Sequence, residues 1–334
     1  MKFRLYIRGL ALLLFCSLNP WVVAAPLTER PDVQAFISQM VQQYSFNSQE
    51  LTRLLDTVQL HEDVVSRKSI PYSAKPWNQY QKFFVNPTRI EDGVKFWQTN
   101  QQVLTKVEQA YGVPASVITA ILGIETNYGR SPLKYRAIDS LASLAFNYPP
   151  RSAYFTKELR EFLLLTREQG IDPLSVKSSY DGGLGLPQFM PSSYRAYGVE
   201  IDGDKRADLI NSIADSIASI ANYLKQHGWQ PKGYIAVPFQ TSVKTQWPYQ
   251  TIPPQLTIAQ LLKEDVHPIV SIRPSERANR LSFPGEDKLE HWLIFNNFYV
   301  ITHYNTSPMY ALAVYQLSKQ LSIRYQQEKI NEKL

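Results

Sequence analysis

Residues 114–129 read Pro-Ala-Ser-Val-Ile-Thr-Ala-Ile-Leu-Gly-Ile-Glu-Thr-Asn-Tyr-Gly. Val117, Ile118, Ile121 and Leu122 place apolar side chains on most sides of a helix, so the spacing predicts a buried helix from about Pro114 to Glu125. Gly112 closes the helix before it, and Pro114 occupies a first-turn position where its missing N–H is not needed. The buried helix ends in Glu125. A carboxyl that closes such a helix is poorly solvated, which favours its neutral acid form. An acid kept protonated near neutral pH is what cleavage of a glycosidic bond requires at the leaving oxygen. Alone, a Glu here reads as a helix end turned to water; three further segments change that reading.

Outward from this helix the chain reads as mainly helical. Val33, Phe36, Ile37, Met40, Val41 and Tyr44 follow helical spacing, and Leu51, Leu54, Leu55 and Val58 continue in a second helix. Pro71 to Pro87 reads as irregular and aromatic, and Ile90 to Tyr111 as one long helix. A helix is predicted over Arg151 to Gln169, stopped by Gly170, and another over Asn211 to His227, stopped by Gly228. Asp181 to Gly185 reads as a Gly-rich loop. Beyond Gly228 the texture changes: Tyr234 to Phe239, Ile269 to Ile272, Leu281 to Phe283 and Trp292 to Phe295 read as short strands, and Pro308 to Gln326 as a closing helix. The expected class is α+β, mainly α. The expected division is a leader at 1–24, helical body at 25–228, β-rich insertion at 229–296 and C-terminal segment at 297–334.

With 334 residues, 44% hydrophobic and 19% charged, the chain is a folded globular protein, not a disordered one. Lys2, Arg4 and Arg8 precede the apolar run Leu10 to Leu18, and Val22-Val23-Ala24 offers a small-residue cleavage site, which together read as a secretory signal. The run is too short for a confident membrane span. Cys16 is the only cysteine. Phe15 before it is not the small residue that a lipoprotein signal wants, so a soluble periplasmic product without a lipid anchor is expected. Loss of the leader would lower the net charge of +6 by three. No Lys/Arg block marks a nucleic-acid footprint. The five histidines show no metal-ligand spacing.

The three further segments are Phe146-Asn147-Tyr148-Pro149-Pro150-Arg151 with Tyr154, the run Ser179 to Tyr194, and Tyr304-Asn305-Thr306-Ser307-Pro308-Met309-Tyr310. Glycines at 182, 183 and 185 let backbone approach a ligand, and Gln188 both donates and accepts hydrogen bonds. Gly-Leu-Pro-Gln-Phe-Met-Pro-Ser-Ser-Tyr at 185–194 and Gly-Ile-Glu-Thr followed by Tyr-Gly-Arg at 123–130 are specific motifs. On them the chain resembles the membrane-bound lytic murein transglycosylase B family, glycoside hydrolase family 103, from about Pro31 to Leu321. The resemblance implies a lysozyme-like core with an α-helical lobe and a small β-rich lobe. It implies cleavage of the β-1,4 bond between N-acetylmuramic acid and N-acetylglucosamine of peptidoglycan, leaving a 1,6-anhydromuramic end without adding water.

By the same resemblance Glu125 matches the acid/base, and Ser179 matches a Ser that holds the muramic N-acetyl group or bonds the Glu. Gln188 and Phe189 match cleft residues beside it. Tyr80, Tyr223, Tyr304, Asn305 and Tyr310 match wall residues, and Arg151 and Tyr154 match substrate contacts on the other flank. Pro150 departs from the pattern, where relatives usually carry a second basic residue. Core packing reads as well as cleft lining for Tyr80, Tyr223 and Tyr304. Ordinary glycosidases use two carboxylates. The motifs supply one, with Asp181 as the only further candidate, and a single-acid route needs no catalytic cofactor.

Glu200, Asp202, Asp204, the Arg206 carbonyl, Asp208 and Asp215 place oxygens at alternate positions, as a calcium loop does. Related transglycosylases carry such a loop, although Lys205 stands where Gly is usual. The alternative is a solvated acidic turn capping the next helix, and any Ca²⁺ there would be structural. The expected whole is a monomeric periplasmic enzyme acting on peptidoglycan, associated with the cell wall or outer membrane. A hydrolytic muramidase on the same fold and a non-catalytic glycan-binding envelope protein are the rival readings.

Overall fold

A computed structural model describes residues 26–68, 75–203, 205–285 and 288–331. The leader, Cys16 and Asp204 lie outside the described residues. The chain divides into two units, Met1–Thr57 and Val58–Leu334.

The first unit holds α1 (Pro31–Tyr44) and α2 (Ser48–Asp56). Val33, Phe36, Ile37 and Met40 of α1 and Leu51 and Leu55 of α2 are buried, at the spacing read from the sequence. The Asn47 side chain caps α2 by accepting from Glu50 N–H at 3.0 Å.

The second unit begins with α3 (Glu62–Lys68), α4 (Trp77–Phe84), α5 (Pro87–Thr99), α6 (Gln101–Tyr111) and α7 (Ala115–Thr126). Two expectations are corrected here. The aromatic stretch before Pro87 is a helix, α4, with Trp77 and Tyr80 buried. The long helix expected over Ile90 to Tyr111 is broken at Asn100. The Asn100 side-chain amide donates to Phe96 O at 2.8 Å, an i−4 bond by which Asn competes with the helix ladder.

Helix α7 is buried on nearly every side, as its sequence requires. Around it pack α5, α6 and the final helix α14 (Pro308–Asn331). Gly123 is needed in α7 because a Cβ there would stand 2.6 Å from the Tyr128 hydroxyl. That hydroxyl donates to Arg89 O at 2.8 Å and pins the turn that follows Glu125. Between come β1 (Tyr135–Arg136), α8 (Ala137–Asn147), α9 (Ser152–Gln169), β2 (Lys177–Ser178), α10 (Pro191–Tyr197) and α11 (Ile213–Gln226). Gly112 and Gly170 are the left-handed C-caps expected of them, and α11 starts two residues later than predicted, capped by Ser212 accepting from Asp215 N–H at 3.1 Å.

The remaining elements are β3 (Ala236–Gln240), β4 (Leu256–Thr257), α12 (Ile258–Lys263), β5 (His267–Pro268), β6 (Arg277–Pro284), β7 (Leu289–Ile294) and α13 (Asn296–Tyr304). The strands form one antiparallel sheet in the order β4-β6-β7-β3-β5. Val237, Phe239, Leu261, Val266 and Leu293 form its own core. The strand expected at Ile269 to Ile272 is not formed; pairing stops at Pro268, and Ile269 and Val270 are exposed. The architecture is mainly helical with a small sheet, the α+β class expected. Two contacts tie the sheet to α4: Trp77 stacks on Phe283 at 5.0 Å, and its indole N–H donates to Glu290 at 3.1 Å.

Candidate active site

A cleft of about 780 Å³ opens above the C-terminal end of α7 and continues into a second lobe of about 400 Å³. Lys68, Glu125, Arg151, Asp181, Asn305 and Thr306 line both lobes. One rim is α4 and β6, through Tyr80, Phe84 and Phe283. The opposite rim is the 148–155 segment with the end of α3.

Glu125 forms the floor. Its Oε1 accepts a 2.6 Å hydrogen bond from the Tyr310 hydroxyl at the start of α14. Burial pushes the Glu125 carboxyl up to about 7; the Tyr310 hydrogen bond pulls it back, and the charge of Asp181 adds to the rise. Burial and the Glu125 charge hold the Tyr310 and Tyr304 hydroxyls well above the usual phenol range, so both remain hydrogen-bond donors.

The loop after β2 is a tight double turn. Ser179 N–H donates to Gly183 O at 3.1 Å, Gly182 N–H returns to Ser179 O at 3.1 Å, and Leu184 N–H donates to Phe189 O at 2.8 Å. Gly185 is required there: its φ is +62°, and a Cβ would lie 1.8 Å from the Leu209 carbonyl oxygen. Gln188 also adopts a left-handed φ of 53°, held by its side-chain amide donating to Gly185 O at 2.7 Å. The loop thereby presents Ser179 and Gln188 to the cleft.

Of the predicted site residues, the structure gathers Glu125, Ser179, Gln188, Tyr80, Arg151, Tyr154, Tyr304, Asn305 and Tyr310 around this cleft. The Arg151 guanidinium lies 4.2 Å over the Tyr154 ring. Ser179 Oγ accepts from Gly183 N–H at 3.2 Å, and the partner of Glu125 is Tyr310 instead. Phe189 and Tyr223 are corrections. Phe189 is 3% exposed and packs between Tyr223 and Tyr304. Tyr223 is 7% exposed, stacks on His227 and donates to His303 O at 2.6 Å. They support Tyr304 from behind, because an aromatic pair with its polar handle satisfied inside is a packing element. Tyr304 in turn donates to Pro187 O at 2.5 Å and fixes the 179–190 loop.

Sequence reasoning missed Lys68, whose Nζ binds Asp181 Oδ2 at 3.0 Å, and Phe283, which brings the sheet to the cleft rim. Lys68 belongs to no motif; its partner 113 residues away is visible only in three dimensions.

The acidic loop before α11 is held by its own hydrogen bonds. Buried Asp215 accepts from Ile201 N–H at 2.9 Å and Asp208 N–H at 2.8 Å. Glu200 accepts from Gly203 N–H, and Asp202 from the Ser212 hydroxyl at 2.8 Å. Asp208 accepts from Ile210 and Asn211 N–H at 3.0 and 2.9 Å. The Arg206 side chain donates to Gln169 O at 2.6 Å. Among the described residues no three His, Cys, Asp or Glu side chains converge on one point. Glu200, Asp202, Asp208 and Asp215 all accept hydrogen bonds within the loop and tie it together.

A helical body with a small sheet on one rim and a protonatable carboxyl in an aromatic cleft is the plan of a lysozyme-like enzyme. Residues 28–319 match the family described as Transglycosylase SLT domain. The membrane-bound lytic murein transglycosylase B of Escherichia coli K12 is 34% identical over 322 residues, covering 91% of this chain and 86% of that protein. The catenated lytic transglycosylase SltB1 of Pseudomonas aeruginosa superposes with a TM-score of 0.83 at 39% identity, over 89% of this chain and 98% of that one. Escherichia coli Slt35, solved in complex with calcium, gives 0.82 at 35%, over 88% and 94%. The chain belongs to the SLT-domain family of lytic transglycosylases, as its motifs implied.

Proposed function

We propose that this lytic transglycosylase cuts the β-1,4 bond between N-acetylmuramic acid and N-acetylglucosamine of peptidoglycan, with Glu125 as its single acid/base. The observation that carries the reading is the Glu125 carboxyl: half-buried on the cleft floor, bonded to Tyr310 and pushed up to about 7 by desolvation. Such an acid is half protonated near neutral pH, where a general acid works best.

The steps follow from that one group. Glu125 Oε1 is engaged by Tyr310, so its proton is carried on Oε2, which gives it to the glycosidic oxygen as the C1–O bond breaks. The acetamido oxygen of the same muramic residue stabilises the cationic C1. Glu125, now a carboxylate, is stabilised by the Tyr310 hydroxyl and removes the proton from the muramic C6 hydroxyl. O6 then bonds to C1, the 1,6-anhydro ring closes, and no water is consumed. Asp181, the other carboxylate of the cleft, is paired with Lys68 and takes no part in bond breaking. Ser179, Gln188 and Asn305 supply polar contacts, and Tyr80, Tyr304, Arg151 and Tyr154 the walls. Cleavage in ¹⁸O-labelled water tests the route: the released muramic ends are expected to carry no label, and labelled reducing ends would make the enzyme a hydrolase.

The leader at 1–24 supports export to the periplasm, where this polymer lies. For the 200–215 loop, where Glu200, Asp202, Asp204, Asp208, Asp215 and the Arg206 carbonyl are the ligands read from the sequence, the calcium complex of Slt35 supports the reading of a structural Ca²⁺. Calcium added to chelator-treated protein is expected to stabilise it, by about 2.7 kcal/mol at a hundredfold excess over Kd. An unchanged melting temperature would leave the loop as a turn closed by its own bonds.

A further inference from the structure

We propose that the Lys68–Asp181 ion pair is a device that sets the pH at which Glu125 carries its proton, by holding an uncompensated carboxylate oxygen against the cleft. The proposal rests on the reading of Glu125 as the acid. Ordinary glycosidases spend a second carboxylate on the sugar itself. Here the second carboxylate is fixed away from that task. Asp181 Oδ2 is bound by Lys68 at 3.0 Å, while Oδ1 is buried with no hydrogen-bond partner among the described residues. A buried carboxylate oxygen without a donor is unusual and calls for a reason. The double turn through Ser179, Gly182 and Gly183 fixes the backbone that carries Asp181, whose side chain is 34% exposed while its Oδ1 is buried.

The charged and titratable groups that line the cleft with Glu125 come from several elements, among them His303 of α13, whose imidazole is held toward its neutral form by burial. Tyr310, Tyr304 and Tyr80 are phenols on α14, α13 and α4, and among the described residues only Tyr310 donates to the carboxyl. Arg67 at the end of α3 is turned to Asp63 at 3.6 Å, and Arg151 lies over Tyr154. Asp181 is thus the negative charge that opposes ionisation of Glu125, and Lys68 is the positive charge that moderates it; the rise of the Glu125 carboxyl agrees in sign with the first of these. Both are positioning residues, since neither touches the reacting bond.

The test is the titration of Glu125 followed by ¹³C carboxyl NMR on the whole protein, assigned by its loss in Glu125→Gln, together with the pH–rate profile on sacculi. Asp181→Asn is expected to move the midpoint and the alkaline limb down by about half to one pH unit. Lys68→Met is expected to move both up. Midpoints that stay put, move the same way in both variants, or change only with a pH-independent loss of rate would overturn the proposal. Opposite midpoint shifts in a protein that releases nothing from sacculi would uphold the device and sink the cleavage reading, so the two failures are distinguishable.

Discussion

Glu125→Gln is expected to lower the cleavage rate by about 10²–10⁴-fold, the usual contribution of a positioned general acid/base, while leaving the fold more stable above neutral pH. The two effects share one cause. The carboxyl is raised from its ordinary 4.5 to about 7 by burial. Between those values the folded chain keeps a proton that the unfolded chain has lost, so stability falls as pH rises through that window. The penalty is complete above pH 7 and amounts to roughly 3 kcal/mol before water in the open cleft screens part of it. Gln carries no charge and escapes the penalty. Urea unfolding from pH 4 to pH 8 is the check. The variant should gain over wild type as pH rises, and the two should converge near pH 4. A gap that does not change with pH would mean that Glu125 is not held in a poorly solvated site.

The second large effect belongs to Gly185. Gly185→Ala is expected to cost roughly 3 kcal/mol or more, from overpacking plus a left-handed residue with a Cβ. The added Cβ would stand 1.8 Å from Leu209 O and 2.6 Å from its carbonyl carbon, both backbone atoms that cannot rotate away. Relief requires the 182–189 loop to lift, and that loop places Ser179 and Gln188. Thermal unfolding and cleavage rate should therefore fall together. An alanine variant with wild-type stability and rate would show that the loop is not the rigid element described.

These two residues also mark how much the sequence disclosed. Helix α7 and its terminal Glu were legible because a helix that is apolar on all sides must be buried on all sides. Left-handed caps at Gly112 and Gly170 were legible for an equally local reason. Gly185 was visible as part of a Gly-rich loop, yet the Leu209 carbonyl that makes it obligatory is remote in sequence. Helix α8 was missed because Ser and Ala stand among its apolar residues, and all of residues 137–145 are buried. Helix α13 was hidden in the apolar run that begins in β7, and its Asn297 side chain is spent on a remote bond, accepting from Gln230 N–H at 2.8 Å, with no side-chain cap at the helix start to mark it. The break at Asn100 came from a side-chain bond that periodicity does not register.

The site divides along the same line. Of the residues in motifs, Ser179, Gln188 and Tyr310 line the cleft. Phe189 and Tyr223 stand near the same motifs, but their surroundings make them packing for Tyr304. Lys68 could not be read at all, since a lone Lys at a helix end is ordinary until Asp181 is found beside it.

Mass spectrometry of the muropeptides released from purified sacculi by the wild-type chain and by Glu125→Gln tests the central claim most directly. Anhydromuramic products from the wild type, and none from the variant, are the result expected of a single acid/base that lets O6 rather than water close on C1. Reducing-end products, or anhydromuramic products undiminished in the variant, would contradict it.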